Sequence, residues 1–158
     1  MKKIVNSIIV LLAGIAIGTV IVGQYMNKII IENAKLADKH LKMFQVMKLW
    51  VSTCQNKKCM EQYLADSGYH NIAIYGLSFI GEALYQELAG SNIKISFGID
   101  QSVKSKLHNL KVYHPSENLP EVDAVIVTAV TYFDDIEATL VSKMKCPIIS
   151  IEDVLLEM

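Results

Sequence analysis

The sequence predicts an α/β domain with a short, mainly parallel sheet, placed behind an N-terminal membrane-spanning helix. From residue 69 onward, short apolar runs alternate with helical patterns, as strands and helices do in a parallel sheet. Before them, the run from Ile4 to Val22 contains no charged residue. The chain is therefore predicted to have a transmembrane anchor over 1–26, a helical stalk over 27–68 and an α/β domain over 69–158.

The apolar run is long enough to cross a bilayer. Its 19 residues span roughly 29 Å as a helix, close to the roughly 30 Å hydrocarbon core. Twelve of them are Ile, Val or Leu, which contribute roughly −4 to −7 kcal/mol to insertion. A secretory signal peptide has a shorter apolar region and a small-residue cleavage site, which the segment Gly23-Gln24-Tyr25-Met26 lacks. The run is predicted to be a single anchor whose first partner is the lipid bilayer.

Orientation is predicted from the thiols, because basic residues flank the run on both sides. The chain has three cysteines, at Cys54, Cys59 and Cys146. An odd count does not suggest a disulfide framework, and no further Cys or His pair supplies the ligands of a zinc site. Reduced thiols favour a cytosolic location. We therefore expect a single-pass protein of the cell membrane with its C-terminal domain in the cytoplasm and no metal.

The stalk is predicted to be helical because residues 27–53 contain neither Gly nor Pro. Its apolar residues form one broad stripe at helical spacing, made of Leu36, Met43, Met47, Trp50 and Cys54 with His40 in the gap, and widened by Leu41, Phe44 and Val51. Two interpretations stay open: packing on its own domain or on a second copy, and docking to a membrane partner. In the anchor, Gly14 and Gly18 form a Gly-x-x-x-Gly step that can pack two helices together. A homodimer through the anchor or the stalk is one expectation.

The domain is predicted to contain five strands and three helices after a short helix over 59–66. The strands are expected at 72–76, 93–99, 111–113, 123–128 and 147–150, and the helices at 79–89, 132–143 and 152–158. Right-handed crossovers then give the strand order 3-2-1-4-5, with the switch point between strands 1 and 4. Ligands of such sheets bind beyond the carboxyl ends of the strands at that point.

A glycine-rich turn follows the first strand at this switch point. The run Gly76-Leu77-Ser78-Phe79-Ile80-Gly81 has the Gly-x-Gly-x-x-Gly frame of dinucleotide-binding Rossmann folds, with Ser78 in place of the middle glycine. Gly76 permits the tight turn and Gly81 allows close packing of helix on strand. The middle glycine is the one that lets a pyrophosphate approach, and Ser78 is instead expected to cap the helix with its hydroxyl.

Two further residues complete the predicted site. Asp100 lies 19 residues after Gly81, at the end of the second strand, where an acidic residue binds a ribose diol. Thr128 ends the fourth strand beside the glycine turn. The candidate cofactor-binding residues are Gly76, Leu77, Ser78, Phe79, Ile80, Gly81, Asp100 and Thr128, and no catalytic residue is assigned.

Four segments together resemble the small Rossmann-like domains of bacterial surface-polysaccharide loci. They are Ile72-Ala-Ile-Tyr-Gly-Leu-Ser-Phe-Ile-Gly81, Phe97-Gly-Ile-Asp100, Val122-Asp-Ala-Val-Ile-Val-Thr128 and Ile149-Ser-Ile-Glu-Asp153. The segments are similar both to NAD-binding folds of the sugar-epimerase type and to the N-terminal domains of sugar acyltransferases. The resemblance implies NAD(P) or a nucleotide-sugar as the ligand.

The sequence departs from both groups in the residues that carry chemistry. It has no Tyr-x-x-x-Lys pair, and no acyltransferase repeat follows the domain. We therefore expect a binding or scaffold module accessory to cell-surface polysaccharide biosynthesis, whose partners are other membrane proteins of glycan assembly. The alternative is an NAD(P)-dependent enzyme, or enzyme subunit, acting on an activated sugar. With 15 Lys and Arg against 16 Asp and Glu, the chain has no excess positive charge for nucleic acid.

Overall fold

A computed structural model describes residues 2–56, 58–102 and 110–158. Among residues 1–13, it describes the side chains of Lys3 and Asn6 only. The chain forms two compact units, Met1–Leu41 and Lys42–Met158. The described residues of the first unit are all helical, and the second unit contains the sheet.

Helix α1 runs without interruption from Lys2 to Gln55. The predicted anchor and most of the predicted stalk are therefore one helix. By length and composition, its stretch Gly14–Gln55 could cross a membrane, and the apolar window within that stretch is not buried. From Lys42 onward α1 belongs to the α/β unit, where Val46 and Trp50 enter the core.

The remaining helices are short, and one of them ends as its sequence predicts. They are α2 (Met60–Asp66), α3 (Phe79–Glu87), α4 (Phe133–Val141) and α5 (Ile151–Glu157). At the end of α2, Gly68 has φ +80°. The Gly68 amide donates to Ala65 and the Tyr69 amide donates to Leu64, which is the Schellman pattern with glycine in the left-handed position.

The sheet confirms the predicted topology. Its strands are β1 (Asn71–Tyr75), β2 (Lys94–Ile99), β3 (Val112–Tyr113), β4 (Ala124–Val127) and β5 (Ile148–Ser150). All pairings are parallel, and the order is β3-β2-β1-β4-β5. Short apolar runs therefore located the strands, and their alternation with helices predicted the order.

Helices cover both faces of the sheet. Along β1, Ile72 and Ile74 face a core formed with α3, α5, α2 and the end of α1, while Ala73 and Tyr75 face a second core formed with α4. Every residue of β4 is buried. Burial on both faces explains why these strands are continuous apolar runs and do not alternate with polar residues.

Candidate functional site

The predicted site residues lie at the carboxyl edge of β1, β2 and β4. Hydrogen bonds tie the three strand ends together there: the Gly76 amide donates to the Ile99 carbonyl at 2.8 Å, and the Thr128 amide donates to the Tyr75 carbonyl at 2.9 Å. Gly76, Asp100 and Thr128 each follow directly on a strand. The structure therefore brings these three residues to one edge, as their positions in the sequence predict.

The two glycines have architectural roles at this edge. Gly76 adopts φ +89°, which strongly favours glycine. A Cβ atom at Gly81 would lie 2.0 Å from the Gly76 carbonyl oxygen and 3.2 Å from Thr128 Oγ1. The buried Thr128 hydroxyl donates to the carbonyls of Tyr75 and Gly76. Close packing of α3 on β1 and β4 thus requires a residue without a side chain at position 81.

Asp100 holds the protein backbone at this edge. Its Oδ2 atom accepts from the Leu77 amide at 2.8 Å, which ties the glycine turn to the end of β2. Its Oδ1 atom accepts from the Ser102 amide at 2.8 Å, the pattern of an Asx-turn. Both carboxylate oxygens that a ribose diol would use therefore already accept a backbone hydrogen bond, although each oxygen has a second lone pair.

The side chains of the glycine turn divide between core and solvent. Leu77 is buried over Gly98 of β2, where a Cβ atom would come within 2.7 Å of Leu77 Cδ1. Ile80 is buried in the same core. Ser78 is exposed and Phe79 is 76% exposed. Only the last two present their side chains to an approaching ligand.

Ser78 occupies the N-cap position of α3, but the predicted cap is wrong in one respect. Its backbone is extended, with φ −82° and ψ −164°, and its side chain makes no capping hydrogen bond. The residue contributes only its carbonyl, which accepts from the Glu82 amide at 2.8 Å. The hydroxyl therefore does not occupy the amide donors at the start of α3.

Two of the cavities that lie among the described residues of the α/β unit bear on the predicted site, and neither matches it in both place and size. A cavity of about 190 Å³ adjoins the end of β4 and is lined by Lys42 of α1 and residues 130–135. It is smaller than the roughly 300–1,000 Å³ of typical ligand pockets. A larger groove of about 580 Å³ lies between α1 and α3, away from the glycine turn. No pattern in the sequence links Lys42 to β4, because they are far apart in the chain.

Two ionisable groups near the sheet, Tyr75 and Cys146, are poorly suited to nucleophilic chemistry. Burial raises the pKa of Tyr75, and the negative charge of Asp100 acts in the same direction. Burial likewise raises the pKa of the Cys146 thiol. Both groups stay protonated at neutral pH, and a protonated thiol is a weak nucleophile. Within residues 2–56, 58–102 and 110–158, no group of three or more His, Cys, Asp or Glu side chains is placed to hold a metal ion.

Comparison of the chain with known protein families, with curated proteins and with solved structures gives no match. The structure shows a small Rossmann-like α/β domain with a long apolar N-terminal helix. The resemblance to surface-polysaccharide proteins thus depends on short motifs and on this fold, and a fold alone does not establish a function.

Proposed function

We propose that this protein is a membrane-anchored, Rossmann-like binding or scaffold module that acts by holding partners beside the membrane. Its setting is bacterial cell-surface polysaccharide assembly, where its partners are other membrane proteins of that pathway. This setting is proposed from the resemblance of the four sequence segments alone.

The observation that carries the proposal is the use of Asp100. In a dinucleotide-binding fold, the carboxylate at the position of Asp100 would bind a ribose. Here the Asp100 carboxylate accepts hydrogen bonds from the Leu77 and Ser102 amides. The Leu77 side chain at the same turn is buried in the core. The groups that would bind a dinucleotide therefore stabilise the edge of the sheet itself, as expected of a domain that keeps the shape without the cofactor.

Anchoring is the second part of the proposal. A helix that could cross a membrane is the same helix that contributes Val46 and Trp50 to the core of the domain. We place the α/β unit in the cytoplasm, a location that suits free cysteines, of which Cys54 and Cys59 are exposed.

A nucleotide-binding function is the second candidate, and one observation favours it. The Ser78 side chain leaves the amides at the start of α3 uncapped, and a helix start with free amides attracts phosphate. In this version the edge binds NAD(P) or a nucleotide-sugar, either as a sensor or as one subunit of an enzyme that acts on an activated sugar.

Thermal unfolding of the full-length protein in detergent micelles separates these candidates. NAD(H), NADP(H) and UDP-sugars are added in turn, and a ligand present at 100 times its dissociation constant stabilises by about 2.7 kcal/mol. The scaffold proposal predicts no shift. The second candidate is established if a ligand raises the melting temperature, if this rise is larger in Ser78→Gly, and if it disappears in Asp100→Asn. The control Asp66→Asn, at the remote end of α2, should keep the rise. Turnover of a UDP-sugar contradicts the scaffold proposal.

Membrane attachment is tested separately by alkaline extraction of membranes. The full chain should stay in the pellet, and a variant lacking residues 1–26 should be released. A membrane-impermeant maleimide should label the exposed Cys59 in inverted vesicles and not in intact cells. Release of the full chain, or labelling in intact cells, would contradict the anchor and the orientation respectively.

A further inference from the structure

Within the α/β unit, α1 has an exposed apolar surface next to the side chains that enter the core, and part of this surface lines the groove between α1 and α3. Val46, Trp50 and Thr53 are buried. A second set of side chains on the same turns is exposed, with Phe44 at 68%, Met47 at 37% and Val51 at 52%, followed by the exposed Cys54. We call these four residues, Phe44, Met47, Val51 and Cys54, the outer face.

The outer face has the spacing of a helix–helix seam. Its members are three, four and three residues apart, which is the alternation of the a and d positions of a heptad. Ala37 and His40 continue the same spacing before Phe44. The broad stripe in the sequence is thus two faces. Met43 and Trp50 pack on the domain, while the outer face is exposed and borders the groove beside α3.

We propose that the outer face binds the outer face of a second copy of this chain, as a parallel two-helix seam. The proposal extends the proposed function, because it identifies one partner of the anchored module. Anchors at the same end of each chain place two copies parallel. In a parallel pair the a and d residues of one helix meet those of the other, so an a/d seam is complementary to itself.

The exposed area of the outer face is that of a weak pair. Its four side chains offer roughly 400 Å² per copy, or roughly 800 Å² for two, below the roughly 1,000 Å² of a stable specific interface. Restriction of both copies to one membrane raises their effective concentration. A small interface can therefore suffice.

Charges beside the seam complement each other. The groove between α1 and α3 is bordered by Glu87 on the α3 side, and the exposed Lys48 follows Met47 at an e position. In a parallel pair the e side of one helix packs beside the g side of the other. Trp50, at the g position, lines the same groove as Glu87, so Glu87 lies on the g side of its own α1. In the pair, Lys48 on the e side of one copy is therefore directed towards Glu87 of the other copy.

Disulfide cross-linking of full-length protein in membranes tests the seam. In a Cys59→Ser, Cys146→Ser background, Cys54 is treated with copper phenanthroline and oxygen. The two thiols lose two electrons to the oxidant and release two protons, and one S–S bond forms. The bond requires Cβ atoms about 3.5–4.5 Å apart, so only directly facing cysteines react efficiently. We expect a covalent dimer at Cys54.

Matched cysteines elsewhere on α1 show whether the contact is specific. With Cys54 also replaced by serine, Val51→Cys on the outer face should cross-link. Ser52→Cys, exposed but about 100° further around the helix, should yield at least roughly fivefold less dimer. Equal yields at positions 51, 52 and 54 would indicate random collision, and no dimer at either outer-face position would indicate a different partner or none. Each of these results overturns the proposal.

Charge and size variants provide a second measurement. Phe44→Glu should lower the Cys54 cross-link about tenfold without changing the melting temperature of the unit at high dilution, because this side chain is exposed in the single chain. Lys48→Glu should also lower it, and adding Glu87→Lys should restore it. Unchanged cross-linking in Phe44→Glu contradicts the seam. A failed seam leaves the anchored module itself in place, since extraction and ligand-induced stabilisation are measured independently of it.

Discussion

The matched pair Val46→Ala and Val51→Ala tests whether the end of α1 belongs to the core of the domain. Both valines lie on the same helix and lose the same two methyl groups. Val46 is 2% exposed and packs in the core with α2, α3 and α5, whereas Val51 is 52% exposed on the outer face. We expect Val46→Ala to destabilise the α/β unit and Val51→Ala to leave its stability nearly unchanged.

The magnitude follows from the burial of the two side chains. Each buried methyl group contributes about 0.8 kcal/mol, and the cavity left behind adds to the loss. Alanine also gains up to roughly 0.5 kcal/mol of helix propensity over valine, but this gain is common to both variants and cancels in their difference. We expect a difference of about 2 kcal/mol, which is roughly 6–10 °C in melting temperature for a unit of this size.

Thermal unfolding of the full chain in micelles, followed by circular dichroism at several protein concentrations, measures this difference. The shift in Val46→Ala should not depend on concentration, because the lost contacts lie within one chain. Any shift in Val51→Ala should shrink on dilution. Equal, concentration-independent shifts in the two variants would refute the assignment of α1 to the core.

Two other predictions concern the glycine turn and α2. Gly81→Ala should destabilise the unit by about 1–3 kcal/mol in the same assay, because the new Cβ would lie 2.0 Å from the Gly76 carbonyl oxygen. The control Glu82→Ala, at the next residue, should change stability by less than about 0.5 kcal/mol. Equal effects of the two variants would contradict the packing argument. The pKa of Tyr63 is raised from 10.0 to about 12, chiefly by burial and secondly by the hydrogen bond with Glu157. The stability that the protonated Tyr63 side chain contributes is therefore complete below pH 10 and is lost as the pH rises through 12. Melting temperatures across this range should therefore fall more steeply in the wild type than in Tyr63→Phe, and parallel curves would show that Tyr63 contributes nothing.

Much of the fold was predictable because its signals are local. The predicted strand from Ile72 to Gly76 agrees with β1 (Asn71–Tyr75) to within one residue at each end, since a central parallel strand is apolar along its length. Alternation with helices and the right hand of the crossovers then leave few arrangements of the sheet. The architectural glycines were predictable for a similar reason, because the spacing of Gly76 and Gly81 reflects the geometry of one strand–helix turn.

The contacts on which the proposed function depends were not predictable, because they join residues distant in the chain. The sequence places Asp100 at the end of a strand. It does not show whether the Asp100 carboxylate binds a ligand or accepts a hydrogen bond from the Leu77 amide, as it does in the structure. The apolar stripe of the stalk shows which residues are hydrophobic. The stripe does not show that Trp50 packs on the domain while Phe44 is exposed to solvent, because both residues fall within the same broad apolar stripe of the helix.

The shortness of the outer strands has a consequence for the anchored protein that we propose, in which copies would share one membrane plane. On one side the sheet ends at β3, which has two residues, and on the other at β5, which has three and directly follows Pro147. An edge this short offers few backbone groups to a strand of another molecule. Molecules that meet often on one surface are thereby protected from joining sheet to sheet into fibrils, and association is left to helices, whose side chains can specify a partner.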